Sequence, residues 1–241
     1  MPNDSILCRK INTVVNSIKE RKFKDALKNY IRFYIFLPIR RFCGFIVDFI
    51  YGVDTEGIIE LTELGFEKNI GSRQESTPYL HMSKIIRTLT KTPEDVFIDM
   101  GSGKGRVMII AGRYPFKRII GVDVSSKLNR ICEQNIRKMQ ARLKCKEFVH
   151  ITTNAINYQI PDDATFIFFF NPFPLEVMDT VMTQIKKSLN RHHRSIKIIW
   201  YNPKYDREIE RIHSIEKTGS IIWYNFGLYK SKCVFYEIGS H

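Results

Sequence analysis

The stretch "FIDMGSGKGRVMII", residues 97–110, decides how the rest of the chain is interpreted. An apolar run ends in an acid, Asp99, and is followed by glycines at 101, 103 and 105 before a second apolar run begins. Glycine lacks a Cβ, so it lets the main chain turn sharply and approach a ligand closely. The pattern predicts a buried strand, a tight turn and a helix, with a ligand at the turn.

Strand and helix patterns alternate on both sides of this stretch, and the strand segments are continuous apolar runs typical of central parallel strands. We expect an α/β fold with a doubly wound, mostly parallel seven-stranded sheet over residues 75–241, and a helical N-terminal extension or lid over residues 1–74. The predicted strands contain "DVFIDM", "KRIIGVDVS", "KEFVHITT", "ATFIFFFN", "SIKIIWYN" and a C-terminal antiparallel pair within "SIIWYNFGLYKSKCVFYEI". The helices between them are expected at about 104–113, 126–144 and 176–190, with a further helix opened by Thr77 and Pro78.

The glycine turn fits neither of two common phosphate-binding patterns. A dinucleotide fingerprint requires a third glycine where this chain has Arg106, and a P-loop requires Ser or Thr after its lysine, where Gly105 follows Lys104.

Two acidic residues near the turn favour a different ligand. Asp99 can pair with an ammonium group while the turn amides face the ligand, and Asp123, at the end of the second strand, can accept hydrogen bonds from ribose hydroxyls. Together they suggest adenosine joined to an amino acid.

With "FIDMGSGKG", "IIGVDVS" and "FIFFFNPF" in this order, the chain resembles the class I S-adenosylmethionine-dependent methyltransferases. Within them, "DMGSGKGRV" with a downstream "NPF" is similar to uncharacterised bacterial members and, more distantly, to the non-SET histone-lysine methyltransferases. The resemblance implies S-adenosylmethionine as cofactor. The cofactor-binding residues that we predict are Asp99, Gly101, Ser102, Gly103, Gly105, Asp123, Asn154 and Ala155.

The candidate acceptor site is Asn171-Pro172-Phe173, which resembles the Asp/Asn-Pro-Pro-aromatic motif of amino-group methyltransferases. An Asn oxygen and a backbone carbonyl can hold an amine, and Phe173 can supply an apolar wall. Asn-Pro after a strand is also a common turn. His81 and Tyr201 are further candidates to assist. We expect methyl transfer to nitrogen, on protein lysine or another amine; the alternatives are transfer to oxygen on a glycan or lipid-linked acceptor, or a non-catalytic basic binding module.

The formal net charge of +13 is unevenly distributed: residues 1–50 carry +6, residues 51–100 carry −4 and residues 101–150 carry +9. Clustered cations suggest an anionic partner such as nucleic acid or a membrane surface, although a solvated lysine-rich surface accounts for them equally well.

The five scattered cysteines show no metal-ligand spacing, and we predict no metal, no secretory signal and a cytoplasmic location, with peripheral membrane attachment left open.

Residues 31–51 are strongly apolar and aromatic, but Arg32, Pro38, Arg40, Arg41 and Asp48 interrupt them. Charges near the centre of a spanning helix cost on the order of 2.5–3.5 kcal/mol each, so we predict no transmembrane span. We expect the aromatic residues to pack on the domain as a lid, with a helix lying in a membrane interface as the alternative.

Overall fold

The computed structural model of the chain describes residues 22–27, 29–59, 74–170, 173–225 and 229–239. Its main sheet contains seven strands, and six α-helices have the following bounds. Strands β1–β7 span Val96–Met100, Arg118–Asp123, Glu147–Thr152, Ala164–Phe169, Ser195–Tyr201, Glu216–Asn225 and Tyr229–Gly239. Helices α1–α6 span Leu37–Tyr51, Tyr79–Thr88, Arg106–Gly112, Ser126–Met139, Leu175–Arg191 and Asp206–His213.

The order of the strands across the sheet is β3-β2-β1-β4-β5-β7-β6. Strands β1 to β5 pair in parallel, and β7 pairs antiparallel with both β5 and β6. The prediction of a mostly parallel, doubly wound sheet ending in an antiparallel pair is confirmed. Strand order reverses between β1 and β4, and ligands of such sheets bind at this point, outside the carboxyl ends of the strands.

Alternating side chains of β1 enter two apolar cores, one on each face of the sheet. Val96, Ile98 and Met100 join a cluster that includes side chains of α5. Phe97 joins a second cluster, with side chains of α2, α3 and α4. All five residues of β1 are buried, as the continuous apolar run predicted. Because neighbouring residues of a strand face opposite ways, Asp99 lies on the same face as Phe97.

Helix boundaries differ slightly from those that we predicted. The α3 and α4 helices are shorter than expected, with a 3₁₀ turn at Gln140–Arg142 completing the latter. Pro78, not Thr77, occupies the cap position of α2. The Thr77 carbonyl instead accepts a hydrogen bond from Arg106 at 3.3 Å, a tertiary contact that propensity rules do not anticipate.

The described chain before α2 is helical and then mostly irregular. Residues 22–27 and 29–31 are helical, Arg32–Phe36 forms a π-helical turn, and α1 follows directly. Two-residue strands at Ile58–Ile59 and Gln74–Glu75 pair antiparallel. The helical character expected for the extension is present in this part of the chain. None of the helices in the described ranges has the length and apolar character needed to cross a bilayer.

Candidate cofactor and acceptor site

The glycine turn lies between β1 and α3, at the carboxyl edge of the sheet. Gly101, Gly103 and Gly105 have φ angles of +89°, +52° and +85°, which side chains other than glycine rarely adopt. Because any other residue would be strained at these three positions, the sequence needs glycine at every second residue of the turn. The turn that was predicted from residues 97–110 is therefore present.

The amides of this turn donate within the protein, and here the sequence-based expectation is wrong. The Gly101 and Ser102 N–H groups donate to the Val122 carbonyl at 2.8 and 3.1 Å, and Gly103 N–H donates to Asp123 Oδ2 at 2.9 Å. The turn is thus joined to the end of β2. What glycine provides is main chain without side-chain bulk, and Gly101 is exposed at this edge.

Asp99 is buried, with a relative exposure of 3%. Burial, with a further contribution from the nearby Asp123 charge, raises the pKa of Asp99 to about 8. In the part of the chain that the structure describes, no group donates a hydrogen bond to this carboxylate. A buried acid without a donor can accept a ligand's ammonium group, which would supply both a charge partner and hydrogen bonds.

The raised pKa predicts how the stability of the ligand-free protein depends on pH. The folded state keeps the Asp99 proton between pH 4 and 8, where the unfolded chain has lost it, so the free energy of unfolding falls as pH rises through this window. Asp99→Asn should remove this contribution, and the loss of stability between pH 5.5 and 7.5 in urea unfolding should shrink by about 1–3 kcal/mol. Glu94→Gln, at an exposed acid just before β1, is the control. Equal pH dependence in all three proteins would contradict the prediction.

Asp123 is fixed by two main-chain donors. Ser125 N–H donates to Oδ1 at 2.8 Å and Gly103 N–H to Oδ2 at 2.9 Å. Burial raises the pKa of Asp123, and these two hydrogen bonds oppose that rise. Each carboxylate oxygen has further lone pairs, so Asp123 can still accept from a vicinal diol.

Asn154 and Ala155 follow β3, the strand beside β2. Asn154 Oδ1 accepts from Ile156 N–H at 3.2 Å and so caps a short 3₁₀ turn, and Ala155 is buried in the core. The amide oxygen that we expected to face an adenine therefore has a local partner already. Thr153 N–H bonds to the Asp123 carbonyl at 3.1 Å, which places the start of this segment next to the end of β2.

Ser102 also lies at the turn, and its side chain is unusual. Its Oγ is buried and has no hydrogen-bond partner among residues 22–27, 29–59, 74–170, 173–225 and 229–239. A Cβ added at Gly121 would lie 2.9 Å from this Oγ, so a glycine on β2 makes room for it. The Ser102 hydroxyl and the Asp99 carboxyl group are therefore both suited to hydrogen-bond with the polar end of a ligand bound at the turn.

The two cations of the turn, Lys104 and Arg106, bind the N-terminal segment, a pairing that the sequence did not predict. Lys104 is buried, and its Nζ donates to Asp54 Oδ1 at 2.7 Å and to the Glu56 carbonyl at 2.9 Å. Asn135 of α4 links the same segment to the turn, since its Nδ2 donates to the Asp54 and Lys104 carbonyls at 2.7 and 3.0 Å. The acids in "YGVDTEG", residues 51–57, were the available signal.

Arg106, the residue that breaks the dinucleotide fingerprint, lies at the centre of a buried ionic cluster. Its Nη2 is 2.8 Å from Glu56 Oε2 and 3.6 Å from Asp48 Oδ1, and its Nε donates to Thr55 Oγ1 at 2.8 Å. Its guanidinium also stacks over the Tyr79 ring, 4.3 Å from the centroid. This cluster joins α1, the glycine turn and the start of α2.

Of the predicted acceptor residues, Asn171 and Pro172 lie outside the described residues. Phe173 is half-buried and packs against the core that contains α5. On the other side of the motif, Phe170 meets Tyr201 edge-on, with ring centroids 4.9 Å apart. The described flanks of the motif are therefore aromatic.

His81 and Tyr201, the two further candidates, are in direct contact. His81 Nδ1 lies 2.6 Å from Tyr201 Oη, and the His81 ring stacks on Trp223 with a centroid distance of 4.3 Å. Burial lowers the pKa of His81 to about 4, helped by the Arg40 and Lys84 charges, and burial raises the pKa of Tyr201 to about 12. Both side chains are uncharged near neutral pH.

No group of acidic, His and Cys side chains suited to a metal ion occurs in the part of the chain that the structure describes. The four described cysteines are free thiols.

Comparison with known proteins supports a methyltransferase. The family model "Histone methylation protein DOT1" matches residues 75–221. No curated protein sequence matches the chain significantly.

Solved structures share the fold at low sequence identity. An RNA methyltransferase from Salinibacter ruber, solved with S-adenosylhomocysteine, is 15% identical with a TM-score of 0.51, covering 69% of this chain and 95% of that one. An uncharacterised protein from Listeria monocytogenes is 12% identical with a TM-score of 0.51, covering 70% of each chain. A tRNA (uracil-54, C5)-methyltransferase from Pyrococcus abyssi is 10% identical with a TM-score of 0.50, covering 68% of this chain and 39% of that one. At such identities the likeness concerns the fold.

The family model covers well over half of the chain and spans the glycine turn, Asp99 and Asp123, which together fit an adenosyl amino acid. The chain belongs to the DOT1 histone methylation family, and it is a class I S-adenosylmethionine-dependent methyltransferase.

Proposed function

We propose that this enzyme transfers the methyl group of S-adenosylmethionine to a nitrogen atom, on a protein lysine or another amine. The observation that carries the proposal is the aromatic character of the residues that flank the motif, Phe170 and Phe173, next to two side chains that are uncharged near neutral pH, Tyr201 and His81. Phe170, Tyr201 and His81 form a connected group on its described side. A neutral amine suits this environment, because a low-dielectric site lowers the pKa of an ammonium group and exposes its lone pair.

Transfer to oxygen would require a base for a hydroxyl group, and the candidates are poorly suited. With its pKa lowered to about 4, His81 is a weak base at neutral pH. A raised pKa of about 12 keeps Tyr201 protonated. The exposed apolar face of α1 is the one observation that favours the alternative, a glycan or lipid-linked hydroxyl near a membrane.

We assign the cofactor's parts to this chain's residues by chemistry. Asp99 would pair with the ammonium group, Asp123 would accept from the ribose hydroxyls, and Asn154-Ala155 would border the adenine. Gly101, Ser102, Gly103 and Gly105 would form the surface against the methionine portion. The sulfonium supplies an activated methyl group, so the protein's task is to align the acceptor and exclude water.

Asp123→Ala should weaken binding of S-adenosylhomocysteine by about 1.5–3 kcal/mol, as expected when a hydrogen bond to a charged group is lost. Isothermal titration calorimetry measures this directly. Glu147→Ala, which removes an exposed acid at the opposite, amino end of neighbouring β3, should leave the affinity unchanged. Unaltered affinity in Asp123→Ala would remove this residue from the site.

Labelled-methyl transfer into fractionated lysate tests the acceptor class. We expect label in protein or in small amines, and mass spectrometry should identify N-methyl groups. Asn171→Ala should lower the rate while leaving S-adenosylhomocysteine affinity unchanged, since Asn171 is assigned to the acceptor. Label confined to hydroxyl groups of lipid or glycan would contradict the nitrogen assignment.

We also propose an anionic partner and a cytoplasmic location for the enzyme. The positive charge of residues 101–150 supports the anionic partner.

A further inference from the structure

Helix α1 presents its polar face to the domain. Arg40 pairs with Glu75 at 2.7 Å. One turn later, Gly44 packs so closely against Glu56 that a Cβ there would collide with the Glu56 carboxylate. After another turn, Asp48 is buried, and the Thr55 hydroxyl donates to its Oδ1 at 2.7 Å. The spacing of these positions places them on one helix face, which ion pairs and hydrogen bonds fix to the domain.

The opposite face of α1 is apolar and exposed. Phe42, Phe45 and Phe49 have relative exposures of 65%, 49% and 87%. Further apolar side chains are exposed on α1 and before it: Phe23, Leu27, Tyr30, Tyr34, Ile35, Ile39, Ile46 and Ile50. This arrangement is the reverse of an ordinary surface helix, and the expectation that the aromatic residues would pack on the domain is wrong for them. So many exposed apolar side chains concentrated in one segment mark an interaction site.

The charges beside this surface are mainly positive. Residues 22–51 contain six Lys or Arg residues and two acids, a net charge of +4. Arg40 and Asp48 are turned toward the domain and cancel each other, so the other five cations and one acid of the segment keep this net charge, and Lys22 and Lys24 are exposed at its start. Aromatic and aliphatic side chains flanked by cations are the composition of a helix that binds in the interface of an anionic bilayer.

We propose that the outward face of residues 22–51 docks the enzyme on a bilayer that contains anionic lipid. The helix lies in the plane of the membrane, with its phenylalanines in the boundary between headgroups and acyl chains and its cations among the phosphates. The inward polar face remains bound to the domain. This surface is independent of the acceptor's identity, so the inference holds for transfer to nitrogen or to oxygen.

Docking at this surface also orients the active site. The segment after α1 carries Asp54 and Glu56, which bind the two cations of the glycine turn. The carboxyl edge of the sheet is therefore joined to the segment that directly follows the docked helix, and the Arg106–Glu56 contact between them is buried. An acceptor at the membrane surface, or a soluble one arriving there, would meet the enzyme in a fixed orientation.

Vesicle flotation of the full chain tests the proposal. The protein should float with phosphatidylcholine vesicles containing about 25 mol% phosphatidylglycerol, and much less with pure phosphatidylcholine. Raising the salt from about 0.1 M to about 0.5 M should reduce binding several-fold, because it screens the charges. The double variant F45Q/F49Q should lower the partition coefficient about tenfold or more.

The matched control is L80Q/I212Q, which removes two side chains of similar exposure, 84% and 49%, from other helices. It should float like the unaltered protein, and both double variants should bind S-adenosylhomocysteine normally, which shows that they are folded. Failure of the full chain to float would overturn the proposal. So would equal loss of flotation in both double variants, or a stable dimer in sedimentation analysis that F45Q/F49Q converts to monomer, since a second copy would then cover this face.

Discussion

Gly105→Ala is expected to destabilise the protein by about 2–5 kcal/mol and to abolish cofactor binding at ordinary ligand concentrations. Two effects lower the stability of the folded state at this position, backbone strain and a steric collision. The backbone has a φ of +85°, which alanine adopts only with strain. A Cβ would also enter the space of the Cys132 side chain, lying 3.3 Å from the Cys132 Cβ and closer still to its Sγ. Urea unfolding and titration calorimetry with S-adenosylhomocysteine measure the two effects.

Gly52→Ala measures the effect of backbone strain without the steric collision that occurs at Gly105. Gly52 ends α1 with a φ of +67°, and nothing lies within 4 Å of a Cβ built there. We expect a loss of about 1 kcal/mol, from strain alone. In a Cys132→Ala background, Gly105→Ala should cost about 1–3 kcal/mol less than in the unaltered protein, because part of the collision has been removed. Equal effects of the two glycine substitutions would show that contact with α4 plays no part.

Arg106→Met should destabilise the protein by about 3–5 kcal/mol, since it leaves the carboxylates of Asp48 and Glu56 buried without their cation. Both carboxylates and the guanidinium are at most 6% exposed at their side chains, so water does not replace the lost partner. The N-terminal segment should separate from the domain before the sheet unfolds. Hydrogen exchange should therefore rise first in residues 37–57.

Arg137→Met is the matched control for Arg106→Met. Arg137 pairs with Glu133 at 2.6 Å on the surface of α4, with 73% of its side chain exposed. Its loss should change stability by less than about 0.5 kcal/mol. Comparable effects of the two substitutions, or unchanged exchange in residues 37–57, would contradict a buried ionic anchor. The comparison also tests whether the extension and the methyltransferase domain unfold as one unit.

Most of the sheet could be predicted from local sequence because its parallel strands are buried on both faces. Each strand must then be a continuous apolar run, and the turns between them need glycine or polar residues where the chain reverses. The same logic located Asp99 and Asp123, since acids directly after such runs fall at the carboxyl edge. The predicted ends of the helices were less accurate. Thr77 is a residue type that often caps helices, yet Pro78 is the cap of α2, and the Thr77 carbonyl accepts a hydrogen bond from Arg106 in α3.

The partners of charged residues could not be predicted, because they depend on contacts between distant parts of the chain. Arg106 seemed only to break the dinucleotide pattern and Lys104 seemed only to belong to an incomplete P-loop match, and their distance in sequence from Asp54 and Glu56 concealed the pairing. Turn amides that seemed available to a ligand are bound to β2. The pKa of His81 likewise follows from burial, which sequence does not specify.

The sequence by itself determined the fold class, the glycine turn and the two acids beside it, because chain reversal and strand burial impose residue types locally. Only the tertiary structure decided which way α1 faces. Its amphipathic pattern shows two distinct sides, and the hydrophobic effect alone would turn the phenylalanines inward. The buried carboxylates of Asp48 and Glu56, held by Arg106, fix the polar side against the domain and leave the apolar side exposed.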